Sequence, residues 1–112
     1  MNEEKDWETQ FEEEIQQAIT ARFANNEGMA RVCARRAVSI AIAEYLNRIG
    51  IPYSGQSVQD RIQMFQSLPN IPPEIRDLSG HFLVRVDKEY QLPIDADLIV
   101  EANLLRRQLL KE

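Results

Sequence analysis

The sequence predicts an all-α fold, a single-domain helical bundle of about five helices, and three observations support that class. Apolar residues recur at three- and four-residue spacing through long windows. The breaks between windows carry Asn, Gly and Pro at positions that stop or start helices, and no convincing hairpin turn, internal repeat or low-complexity tract is present. The chain has 112 residues, 44% hydrophobic and 28% charged, which suits one core over 1–112. Four Gly and five Pro are too few for disordered or collagen-like chains.

The first helix is expected over 5–24, with residues 1–6 a frayed acidic terminus. Trp7, Phe11, Ile15, Ile19 and Phe23 recur every fourth residue, and Ala18 widens that stripe. Asn25, Asn26 and Gly28 interrupt the pattern, and either Asn can cap a helix end, so a tight helical hairpin is expected. The second helix follows and runs to about Ile49, where Gly50 supplies a left-handed cap and Pro52 forbids continuation. It carries two stripes: Ala30, Ala34, Ala37 and Ala41, and Val38, Ile42, Tyr45 and Ile49. The second stripe, extended backwards, runs through Arg35 and Arg31.

Ser57 opens a third helix, with Asp60 three residues on as an acidic capping box and Val58, Ile62, Phe65 and Leu68 as its apolar face. Pro69 ends it. Pro72 and Pro73 favour the first turn of a fourth helix using Ile75, Leu78, Phe82 and Val86; the β-branched content of 82–86 also allows an extended chain there. Asp95 is expected to cap a last helix bearing Leu98, Ala102, Leu105 and Leu109.

The formal charge of −5 at first disfavours an anionic ligand. Residues 1–14, however, carry seven acids against Lys5, a balance of −6, leaving +1 for 15–112. Arg outnumbers Lys ten to three, and the guanidinium fork suits carboxylates and phosphates. Any cationic site is therefore expected away from the first half of helix 1, near Arg31, Arg35 and Arg76. Cys33 is the sole cysteine; its apolar neighbours mark it as a small core residue, and no cysteine-based metal site is expected. An acidic start without an apolar stretch predicts no export signal, and no run approaches the ~20 residues of a membrane span, so a cytoplasmic protein without membrane contact is expected. No phosphate loop, serine nucleophile motif, metal-ligand spacing or cofactor site is found.

One constellation carries chemistry. Asp77 and the only histidine, His81, are i and i+4, so on a helix they share a face and can hydrogen-bond. Arg76 stands about 140° from His81 around the wheel, so its long side chain, a bent helix or a second subunit is needed to bring both to one phosphate. Gly80 lies inside this helix, where it costs about 1 kcal/mol relative to Ala.

At Arg76, Asp77, Leu78-Ser79-Gly80 and His81 the sequence resembles the HEPN superfamily (higher eukaryotes and prokaryotes nucleotide-binding), whose ribonuclease members carry Arg, a polar residue, three residues and His. The family's small helical bundle agrees in outline with residues 7–110, and Phe82 is an aromatic close behind the histidine. The resemblance implies a metal-independent endoribonuclease acting at a homodimer interface, or a nucleotide-binding module. His81 would move protons, Arg76 would hold the phosphate and Asp77 would orient His81, with Arg31 and Arg35 extending a cationic floor for substrate. RNA or a nucleotide is then the expected ligand, a second copy the expected partner, and a nucleotidyltransferase a further partner found with some family members.

Plainer readings stand beside these. His81 and Arg76 could be structural residues at a core edge, and Arg31 could pair with Glu27 four residues earlier. The alternative function is a non-catalytic helical oligomerisation or adaptor protein using the alanine stripe and the Tyr45 face. A helix-turn-helix DNA reader fits less well, because helix 3 offers only Arg61 for a DNA contact.

Overall fold

The computed structural model describes residues 6–51, 57–85, 92, 94 and 96–112. Five α-helices occupy them: α1 (Trp7–Phe23), α2 (Glu27–Arg48), α3 (Val58–Gln66), α4 (Pro73–Gly80) and α5 (Leu98–Leu110), with a 3₁₀ turn at His81–Leu83 after α4. No strand occurs among the described residues, so the all-α single-domain expectation is met. Val86, expected on the fourth helix, and Asp95, expected to cap the fifth, lie outside the described residues.

Local chemistry explains most of the helix ends. Asp6, grouped by the sequence reading with the frayed terminus, caps α1 by accepting the Thr9 N–H at 2.7 Å. Between α1 and α2, Asn25 takes the left-handed conformation at φ 60°. Asn26 donates its backbone N–H to the Ala21 carbonyl at 2.8 Å while its side chain accepts the Met29 N–H at 3.1 Å, so one residue closes α1 and opens α2. Gly50 ends α2 at φ 74°, and the next N–H, of Ile51, reaches back to the Leu46 carbonyl at 3.0 Å. Ser57 caps α3 through Asp60 N–H at 3.0 Å, and Pro73 is the first residue of α4. The cap of α5 is Asp97, which accepts from Ile99 and Val100 and also receives Arg22 at 3.0 Å. After Leu83 the chain leaves the helical path: Val84 is extended at φ −70°, ψ 130°.

The α1 stripe needs one correction. Phe23 is 84% exposed, whereas Phe11, Ile15, Ala18 and Ala21 are buried. A strict four-residue step advances about 40° too far each time, so Phe23 lies about 160° from Trp7. The buried set mixes steps of four and three and stays on one arc.

Helix α2 is the centre of the bundle, packed by α1, α5 and α3. Both of its stripes are core at their middle: Ala30, Ala34, Ala37, Ala41, Val38 and Ile42 are fully buried. The small side chains let neighbouring helices approach closely, and that use is internal to the chain. The alanine stripe is therefore not a surface for packing between chains. The other end of the second stripe is less enclosed: Tyr45 is half-buried with its ring edge on Phe65 at 5.8 Å, and Ile49 is exposed.

The acidic start of α1 has its counter-charge in α5. The Arg106 guanidinium lies over Trp7 and Phe11, 4.8 and 4.9 Å from the ring centroids. It also meets Glu12 at 2.8 Å and Glu112 at 2.9 Å. Cation–π attraction and ion pairing thus act on one side chain and tie α1 to α5.

Candidate functional site

Helix α4 is two turns long and is held at its start by its prolines and along its inner face by Ile75 and Ser79, both buried. Its junction with α3 is a reciprocal clamp. Arg76 donates Nη1 to the Gln66 carbonyl and Nη2 to the Leu68 carbonyl, the latter at 3.0 Å. In return, Gln66 Nε2 donates to the Arg76 carbonyl at 3.2 Å and to Ser79 Oγ at 3.3 Å. A guanidinium at the carbonyl end of α3 also opposes the negative pole of that helix.

The clamp accounts for Gly80. Its backbone is ordinary right-handed helix, but a Cβ there would stand 3.0 Å from Gln66 Nε2. Gly80→Ala should therefore cost about 1 kcal/mol by displacing the Gln66 amide from two acceptors, outweighing the helix-propensity gain. In a Gln66→Ala background the same change should stabilise by up to about 1 kcal/mol. Urea melts of the four proteins check this, and equal effects in both backgrounds would remove Gln66 as the reason for glycine.

His81 begins the 3₁₀ turn, and its Nδ1 lies 2.6 Å from Glu101 Oε1 on α5. The Glu101 side chain is 18% exposed and that of His81 39%, so the carboxylate is sheltered while the imidazole reaches solvent. This corrects the expected Asp77–His81 pair. Glu101, not Asp77, orients the ring, because the chain tightens into a 3₁₀ turn at His81 and α4 packs on α5. Asp77 is exposed. A carboxylate on Nδ1 fixes the proton there in the neutral ring and leaves Nε2 for exchange.

Arg76, Asp77 and His81 nevertheless line one depression of about 530 Å³, together with Gln66 and Gly80. Arg31 and Arg35 do not. Arg35 donates Nε to the Phe82 carbonyl at 3.0 Å and Nη2 to the Val84 carbonyl at 3.2 Å, and it lines a separate groove of about 490 Å³ that shares no residue with the first. Burial, followed by the like charge of Arg31, pulls the Arg35 guanidinium below its usual pKa. Arg31 has Glu27 as a neighbouring charge, but the Glu27 carboxylate is bonded to Arg22, at 3.0 and 2.7 Å. Those bonds hold the Glu27 pKa below its ordinary value.

The remaining candidates are structural. Cys33 is 1% exposed, and burial, reinforced by the Glu14 charge, raises its thiol pKa, which opposes thiolate chemistry. Arg61 donates to Ser39 Oγ at 3.0 Å and so turns inward rather than toward a nucleic acid. Among the described residues no group of three or more His, Cys, Asp or Glu could hold a metal, and no helix is long and apolar enough to cross a membrane.

Sequence reasoning missed Glu101 and the carbonyl partners of Arg35 and Arg76. Glu101 is an acid in the first turn of a helix, a position filled for the dipole alone in many helices, so nothing local marked it as a partner of a histidine 20 residues away. Comparison of the chain with protein-family models, with curated proteins and with solved structures gives no match.

Proposed function

We propose that the depression at the end of α4 is the site of an HEPN-like, metal-independent endoribonuclease that works as a homodimer. The observation that carries this reading is the gathering of Arg76, Asp77 and His81 in one cleft, with the His81 ring oriented by Glu101 at 2.6 Å. His81 Nε2 takes the proton of a ribose 2′-hydroxyl as the oxygen attacks the adjacent phosphorus. The 5′-oxygen leaves with a proton, and the products are a 2′,3′-cyclic phosphate and a free 5′-hydroxyl. Glu101 is a positioning residue that keeps the ring aligned.

Two of the five Arg76 N–H donors meet carbonyls; the others have no partner among the described residues, and in this reading they meet the phosphate oxygens as charge develops. The cleft of one chain is shallow and is lined by Arg76 and Asp77 beside His81. A second copy related by a two-fold axis supplies the opposite wall and lets two histidines share the base and acid roles.

Single-stranded RNA should be cut by the purified protein in EDTA, leaving cyclic phosphate ends. His81→Ala should lower the rate by at least about a hundredfold while the helical fold, read by circular dichroism, is retained. Glu101→Gln should lower it less. Undiminished cleavage by the His81→Ala protein would identify a contaminant and end this reading.

A further inference from the structure

We propose that the groove beside Arg35 is a binding site for a small amphipathic carboxylate, with the Arg35 guanidinium taking the head group and Val58, Ile62, Phe82 and Leu83 taking the apolar body. The groove holds about 490 Å³ and is lined by these five residues and by Arg85 among others, a volume within the ~300–1,000 Å³ of small-molecule sites. Ile62 and Phe82 are fully buried and form apolar floor; Val58 and Leu83 are half-buried at its sides.

Charge complementarity selects the occupant. Among the other half-buried arginines, Arg106 is met by carboxylates of Glu8, Glu12 and Glu112 and Arg22 by Glu27 and Asp97, while Arg76, like Arg35, is held by backbone carbonyls. Among the described residues half-buried Arg35 has two backbone carbonyls as partners and no carboxylate within ion-pair distance. The charges that accompany it have the same sign: Arg31 one turn earlier on α2 and Arg85 at the rim. A partly desolvated cation with no counter-ion among the described residues gains most from an anion that also fills the adjoining apolar space. Among the described residues its Nη1 end has no bonding partner, and that is the edge on which a carboxylate oxygen would sit. An anion with an apolar tail meets the guanidinium and the adjoining apolar wall together, which favours an amphipathic carboxylate over inorganic phosphate.

The site is independent of the cleavage reading, since it shares no residue with the His81 cleft and its test needs no turnover. Octanoate is the probe, titrated at low ionic strength into the isotope-labelled protein and followed by NMR. The expected result is one saturable site with Kd of about 1 mM or tighter and shifts centred on Arg35, α3 and 82–85. Octan-1-ol should bind at least about tenfold more weakly. Val58→Glu supplies an internal counter-ion at the first position of α3, where an acid suits the helix dipole, and should weaken octanoate by at least about tenfold. Arg85→Gln, a change at an exposed position, should weaken it by about two- to threefold and remains informative if Val58→Glu fails to fold. Absence of a saturable site overturns the proposal. Equal binding of octan-1-ol overturns it in favour of an unselective apolar groove, and displacement of octanoate by equimolar inorganic phosphate overturns the carboxylate assignment.

Discussion

Ala37→Glu should leave no folded protein. Ala37 is fully buried on α2, the helix packed by three others, so the new side chain has neither room nor a partner for its charge. The cost of overpacking and of an unpaired buried carboxylate is about 5 kcal/mol or more, against a total of about 5–15 kcal/mol for an ordinary domain. Circular dichroism and size-exclusion chromatography are sufficient to read the result: lost helicity, or a shift to soluble aggregate. Val32→Glu is the matched control, since Val32 lies on the outer side of the same helix and is 36% exposed; it should fold. The pair also separates the two functional classes. A folded Ala37→Glu chain that had lost only an oligomeric state would move the alanine stripe from the core to an interface and restore the adaptor reading.

Arg76→Met should destabilise the protein by about 2–3 kcal/mol, a fall in Tm of roughly 10 °C for a domain of this size. Methionine keeps the apolar stem and removes the fork, so the Gln66 and Leu68 carbonyls lose charged donors at the negative end of α3. Arg76→Lys should lose about half as much, because an ammonium is a point donor that cannot span both carbonyls. Chemical denaturation of the three proteins measures this, and a change below about 0.5 kcal/mol for methionine would show that water replaces the guanidinium at no cost. The stability effect bears on the cleavage proposal. Arg76 is both the proposed phosphate ligand and a structural tie, so the kinetics of its variants carry meaning only well below their melting temperatures.

Much of this fold was legible residue by residue. The caps at Asn26, Gly50, Ser57 and Pro73 depend on groups within five residues of one another, and local rules of hydrogen bonding and backbone sterics dictate them. The stripes on α2, α3 and α5 were legible because a helix repeats its faces every 3.6 residues. The same rule read too strictly misplaced Phe23. The candidate site was half legible. Arg76, Asp77 and His81 do share a cleft, but the orienting carboxylate comes from Glu101, and Arg35 turns away from it to the carbonyls that follow His81.

The sequence by itself determined the helical class, the order and most of the ends of the helices, and the separation of the acidic start from an arginine-rich body. Each follows from interactions between near neighbours in the chain. Only the tertiary structure decided the charge partners: Glu101 for His81, the Phe82 and Val84 carbonyls for Arg35, and Glu12 for Arg106, across 20, 47 and 94 residues respectively. Hydrogen bonds and ion pairs are short-ranged and leave no periodic trace in sequence, so a residue's partner across the bundle is set by how the helices pack and not by its neighbours in the chain.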